Sequence, residues 1–219
     1  MACFQGGGCG GGVAGCCGNN NGIFQNRCHT LGPILAVDQN CLPPATAPTA
    51  PAAQGSIIPF ASGAVPVALT TVAGGVVGVP FFLGFGTAVP GTITGGVIVL
   101  PTVGGLLNEA FTVPRPGTIT SISATFTITV ALTLAPTATV RAQIYQAPAG
   151  SDTFSPTAAF VDLTPQLTTG LAVGSILTGS AAAAVPVATG DRLLMVFTLL
   201  GVTVIAAVTG TASAGIAIA

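Results

Sequence analysis

The 219-residue sequence contains no lysine and no tryptophan; its only fixed cations are Arg27, Arg115, Arg141 and Arg192, set against five carboxylates, for a formal net charge of −1. Charged residues make up 4% of the chain, against about 25% in ordinary soluble domains. A nucleic-acid partner is excluded, because phosphate recognition needs clustered Arg and Lys to release counterions. Solubility through charge repulsion is excluded with it. The carboxylates Asp38, Glu109, Asp152, Asp162 and Asp191 are scattered, with no pair that the sequence places on one face, so paired acid and base chemistry has no support. His29, the one histidine, stands beside Cys28. A thiolate nucleophile there would need a third, orienting group on a rigid scaffold, and the glycine-rich surroundings offer none. The glycine run 6–12 matches a dinucleotide fingerprint only trivially, since it neither follows a strand nor opens a helix. No catalytic residue, metal ligand or cofactor is expected.

What the chain does have is apolar surface and turn residues. Hydrophobic residues are 50% of it, and the mean hydropathy is +0.86. Its 31 glycines and 17 prolines make up about a fifth of the whole, just under the level at which unpatterned chains read as disordered. The run 67–85 (VALTTVAGGVVGVPFFLGF) is long enough to cross a bilayer. Its glycines, Pro80 and the lack of a flanking Lys or Arg argue against a span, so no membrane partner is expected. The opening MACFQGGG lacks the basic and apolar regions of a secretory leader, and classical export is not expected.

All six cysteines, Cys3, Cys9, Cys16, Cys17, Cys28 and Cys41, fall in the first 41 residues. Residues 1–42 have little to bury in a core of their own and need covalent bonds or a partner to gain order. The cysteine spacings fit no common zinc pattern. Adjacent Cys16 and Cys17 are too close for an ordinary bond to each other. Disulfides or interchain crosslinks are favoured over metal ligation and free thiols. Residues 43–54 begin PPATAPTAPAA, a polyproline-type spacer reaching about 34 Å at about 3.1 Å per residue. Its Thr46 and Thr49 are spacer residues or O-glycan acceptors.

From residue 55 onward, short β-branched runs alternate with Gly and Pro, and no helical periodicity appears. Strands are expected over 56–60, 65–72, 76–85, 92–100, 109–113, 118–134, 137–146, 159–163, 171–178, 192–200, 202–209 and 211–218. This many short strands suits an all-β jelly-roll sandwich. Runs such as GVTVIAAV and SAGIAIA look apolar on both faces, so a second surface must cover their outer side, most simply another copy of the domain. Arg141, inside a strand, either faces solvent or meets an acid between copies. Phe81, Phe82 and Phe85 read as core or interface anchors, with a carbohydrate platform as the alternative.

Six motifs, GSIIPFASG (55–63), LTTVAGGVVG (69–78), FTVPRPGTITSISATF (111–126), RAQIY (141–145), TGDRLLMVF (189–197) and ASAGIAIA (212–219), give residues 55–219 a resemblance to a known domain. The segment resembles the C-terminal domain of BclB-type collagen-like exosporium glycoproteins of spores. The resemblance implies a homotrimeric jelly roll of the C1q/TNF-like kind, displayed on the spore surface as a structural protein. That family carries a collagen stalk; here no Gly-X-Y period exists, and the Cys-rich segment stands in its place as an extended N-terminal arm, similar in logic to endospore appendage subunits. The function expected is a subunit of an exosporium fibre or appendage, deposited from the mother cell and partnered by itself, as a trimer and head-to-tail polymer, and by other exosporium proteins. The alternative is a tip domain that binds a host or matrix molecule. Gly215, Ile216, Ile218 and Arg141 are the expected trimer-interface residues, with the C-terminal strand near the threefold axis.

Overall fold

A computed structural model describes residues 55–72, 77–100, 106–130, 137–168, 171–201 and 207–219. The six cysteines, His29, the arm at 1–42 and the spacer at 43–54 lie outside the described residues. Twelve strands appear among those described, with a single short 3-10 turn at Leu106–Glu109. They are β1 Ser56–Ala61, β2 Val67–Thr70, β3 Phe81–Leu83, β4 Ala88–Pro90, β5 Ile98–Val99, β6 Phe111–Thr112, β7 Gly117–Val130, β8 Ala138–Ala147, β9 Thr153–Asp162, β10 Ile176–Val187, β11 Arg192–Gly201 and β12 Ala207–Ile218. No described helix is long and apolar enough to cross a membrane.

The strands form two antiparallel sheets. The first runs β1-β12-β7-β10, with β2 also on β12; the second runs β4-β3-β11-β8-β9-β5, with β6 also on β11. The chain passes from β7 in the first sheet to β8 and β9 in the second, then returns through β10, β11 and β12, changing sheet each time. This order is that of a jelly roll, in which each long connection places a strand beside one much earlier in the sequence. It makes β12 the neighbour of β7, and β11 the neighbour of β8.

Alternation decides which side chains fill the space between the sheets. On β12, Val208, Ala212, Ala214, Ile216 and Ile218 point inward, as do Ile122, Phe126 and Ile128 on β7 and Leu193, Met195, Phe197 and Leu199 on β11. β7 breaks the two-residue period twice. Its register against β12 shifts between Ala217 and Ile218, so both Thr120 and Ser121 lie outside while Ile119 and Ile122 are both buried, and again between Thr209 and Gly210, where Thr129 and Val130 are both exposed. A bulge of this kind lets two apolar positions of unlike parity share one core.

Strand β11 is buried on both faces. Leu194 and Val196, turned away from the main core, pack with Phe82, Ile98, Leu100, Tyr145 and Phe154 in a second cluster. The cover comes from the same chain. β4 and β5 occupy opposite ends of the second sheet, so the segment joining them crosses its outer face, pressing Val89 and Ile93 against the cluster. For β11, then, the second cover is supplied by the same chain.

Several strand boundaries also differ from the sequence reading. β10 extends through GSAAAAVPV to Val187, and β9 begins at Thr153 and runs through Pro156. Alanine, glycine and proline are poor strand formers in isolation. Here Pro186 lies on the last strand of its sheet, and Pro59 on β1, the first, where a missing N–H interrupts no inner ladder. Gly179 is required by contact: a Cβ there would lie 2.7 Å from Val161 Cγ2, on a strand of the other sheet. The two runs expected at 202–209 and 211–218 converge on one strand, β12, which continues through Gly210; residues 202–206 lie outside the described residues.

Candidate functional site

Two surfaces have distinct chemistry, one on the outer face of each sheet. The five strands of the first sheet, β1, β2, β7, β10 and β12, contain no charged residue. Register places Ile57, Ala217, Ser121 and Ala182 in one row across its outer face; Pro59, Gly215, Ser123 and Ser180 form the next, and Ala61, Ser213, Thr125 and Thr178 the one after. The face is low in relief because almost every side chain ends at Cβ or one atom beyond. Three of its hydroxyls are bonded within the sheet: Thr120 donates to the Ala217 carbonyl, Ser123 to that of Gly179 and Thr129 to that of Thr209, each at 3.3 Å. Covering these three strands no donor, which lowers the penalty for burying them.

The four residues expected at a trimer interface are separated by the fold. Gly215 lies on this outer face, its side of the backbone open except for the Ile58 carbonyl 3.8 Å from where a Cβ would stand. Ile216 and Ile218 are buried in the core of their own domain, so that grouping is corrected: they face away from any surface a partner could reach. The outer side of the C-terminal strand is Thr209, Thr211, Ser213, Gly215 and Ala217, small and partly polar, which also corrects the reading of SAGIAIA as apolar on both faces. Arg141 sits on the other sheet. The alternation of small and branched residues in that run was a signal available in the sequence.

Arg141 anchors the second surface. Its Nε and Nη2 donate to Asp162 Oδ1 and Oδ2 at 2.6 and 2.8 Å, a bidentate pair across β8 and β9. The guanidinium also lies over the Phe160 ring, 4.4 Å from its centroid. The Asp162 hydrogen bond raises the Arg141 pKa further, more than partial burial lowers it. Nearby Tyr145 is held above the usual phenol range by burial, with the Arg141 charge pulling the other way. Beside the ion pair, the turn after β9 crosses the end of β8 and leaves an open cleft of about 260 Å³, lined among others by Thr139, Asp162, Thr164, Gln166 and Leu200. Sequence reading singled out Arg141 but not Asp162 as its partner, because the pairing depends on strand register.

The phenylalanines also divide. Phe81 fills the main core and Phe82 the second cluster, whereas Phe85 is 57% exposed, stacked on Phe60 at 5.6 Å and edge-on to Phe111 at 6.4 Å. The buried acids have local structural partners. Asp191 accepts from Gln146 Nε2 at 2.7 Å and from the Ala188 N–H at 2.8 Å, closing the turn into β11; Glu109 accepts from the Thr87 hydroxyl at 2.7 Å. Among the described residues, no three His, Cys, Asp or Glu come together as a metal site would require.

No family model matches the chain. In sequence it is similar to collagen-like protein 1 of Acanthamoeba polyphaga mimivirus, 34% identical over 153 residues, which is 65% of this chain and 16% of that protein. The chain thus spans about a sixth of the length of the curated relative it matches. In structure it is similar to the Eiger TNF of S. frugiperda, with a TM-score of 0.37 and 8% identity over 76% of this chain and 94% of that one. The jelly-roll assignment stands on the strand order.

Proposed function

We propose that this chain is a non-catalytic structural subunit that associates with two copies of itself through the outer face of the first sheet. The carrying observation is that face: five strands without a charge, mostly small side chains, and three hydroxyls bonded to the sheet backbone. Interface centres are depleted in charged residues and packed as tightly as protein interiors, and a shallow sheet of five uncharged strands suits both conditions without burying a charge. The similarity to part of a collagen-like protein supports the number three, because a collagen stalk winds three chains and a domain joined to it experiences threefold symmetry. On the resemblance of residues 55–219 to exosporium domains, the assembly is a spore-surface fibre or appendage, with the cysteine-bearing arm joining one trimer to the next.

The test is light scattering on the full chain in reductant. A trimer is the expected species. Gly215→Arg puts a cation at the centre of the face where the protomer has room for it, and is expected to give folded monomers. Ala158→Arg, exposed on the second sheet, serves as the control and is expected to remain trimeric. A monomeric parent chain, or a Gly215→Arg trimer of parental stability, overturns the reading.

A further inference from the structure

The cleft beside Arg141 opens on the second sheet, with Thr164 of its wall bonded to Thr178 of β10 at the edge of the first, and the chemistry of its lining does not rest on self-association. Its polar groups are fixed by internal bonds that leave one valence of each directed outward. Phe160 supports the Arg141 guanidinium, which holds both carboxylate oxygens of Asp162 in one orientation. Each of these oxygens uses one lone pair on arginine and keeps another turned away from it, so Asp162 remains an acceptor for a guest hydroxyl. Gln166 Nε2 donates to Thr139 Oγ1 at 3.1 Å, which leaves the Thr139 proton, the second amide proton and the amide oxygen for a guest. The Thr164 hydroxyl donates to the Thr178 carbonyl at 3.2 Å and remains an acceptor. Half-buried Leu200 supplies an apolar wall beside them, where Gly201 adds no side chain.

A guest for this arrangement must both donate and accept, carry several hydroxyls, offer a C–H face to leucine and bear no net charge. The last condition follows because Arg141 and Asp162 neutralise each other: an anion would meet a carboxylate, and a second cation would compete with an arginine already bound at two points. The volume, about 260 Å³, is just below the range of about 300–1,000 Å³ that takes drug-sized ligands. It suits one ring with its substituents.

We propose that the cleft formed by Thr139, Asp162, Thr164, Gln166 and Leu200 is a binding site for a neutral saccharide unit, held through a hydroxyl on Asp162 and others on Thr139 and Gln166. Such a site makes the domain a glycan-contacting module as well as a structural one. Single-site binding in an open cleft is weak, and repetition of the domain along an assembly would raise it by avidity.

The experiment is saturation-transfer NMR on the full chain, with the methyl glycosides of glucose, galactose, mannose, rhamnose and N-acetylglucosamine, and with methyl glucuronoside as the charged comparison. At least one neutral glycoside is expected to receive saturation, and methyl glucuronoside to receive none. Thr139→Val and Gln166→Ala each remove one hydrogen-bonding group and should weaken binding about fivefold, as loss of one net hydrogen bond does. Asp162→Asn keeps the shape but replaces one acceptor by a donor, and should abolish the signal. Circular dichroism melts confirm that the variants are folded. Lack of saturation for every neutral glycoside overturns the proposal. So does a signal that survives all three substitutions, or preferential binding of the glucuronoside. Because no variant touches the first sheet, a failure here leaves the trimer measurement unaffected, and a monomeric chain that binds glycoside refutes only the self-association.

Discussion

Adding one methyl group at Gly210 or at Gly215, both on β12, has opposite consequences. At Gly210 the new carbon would collide with the Thr127 carbonyl oxygen and the Phe126 ring, both fixed parts of the adjoining strand and core. Overpacking of this kind costs about 1–3 kcal/mol, and in a chain of this size each kcal/mol moves the melting temperature by about 2–4 °C. Gly210→Ala is therefore expected to melt several degrees lower, and Gly215→Ala to leave the fold of the protomer unstrained; calorimetry in reductant checks both. Tyr145 permits a second test at this scale, because it is the sole tyrosine and there is no tryptophan. Burial raises its pKa, so the folded state favours the neutral phenol. The unfolded phenol ionises near pH 10. The sign follows: the stabilisation is intact below about pH 10 and is lost as pH rises from there through the higher folded value. Absorbance at 295 nm should show tyrosinate appearing only above the ordinary midpoint. Arg141→Met removes the one charge that lowers this pKa and should move the midpoint higher still. A midpoint at or below 10 would contradict the buried position.

Among the elements, β4 and β5 are short, of three and two residues, yet each adds to the second cluster. Ile98 is fully buried against Phe82, Phe154, Leu194 and Val196. Ile98→Ala should then cost about 2–5 kcal/mol, as a core truncation does, although it lies on a two-residue strand; urea denaturation measures it, and a loss below about 1 kcal/mol would mean that the strap contributes little. This cover was not legible in the sequence. Hydrophobic runs show that β11 is apolar on both sides, but periodicity does not say whether the second cover comes from the same chain or another. The long strands β7, β8 and β11 were legible because branched residues or strict alternation mark them. The alanine run of β10 was missed because propensity argues against it, and only close contact with β9 makes Gly179 and its neighbours suitable. At the candidate sites, Arg141 stood out by its rarity, whereas Asp162 and Gln166 became visible only once register and the turn after β9 brought them beside it.

At the scale of the molecule, the two proposals give the outer faces separate tasks: the uncharged face would take copies of the same domain, and the polar cleft a ligand. Neither accounts for the six cysteines, all of which precede residue 42. A segment with so little to bury gains order only by lying on a neighbour or by covalent bonding, and the spacer that follows reaches about 34 Å when extended. On the proposed connector role, the arm would engage a trimer beyond its own, a head-to-tail contact that does not close and would propagate as a fibre. Three chains make the arrangement testable by electron microscopy. The parent is expected to form fibres under oxidising conditions, the variant with all six cysteines changed to serine to form fibres that dissociate in heat and detergent, and the chain lacking residues 1–42 to stop at discrete trimers. Trimers from the truncation would show that the first-sheet face suffices for lateral association and that the arm supplies the longitudinal contact. Fibres of parental length from the truncated chain would refute the connector role and move polymerisation onto the jelly roll itself, where β1 and β10 are the end strands of the first sheet, bridged on their outer sides at Ala61–Phe85 and Thr178–Thr164.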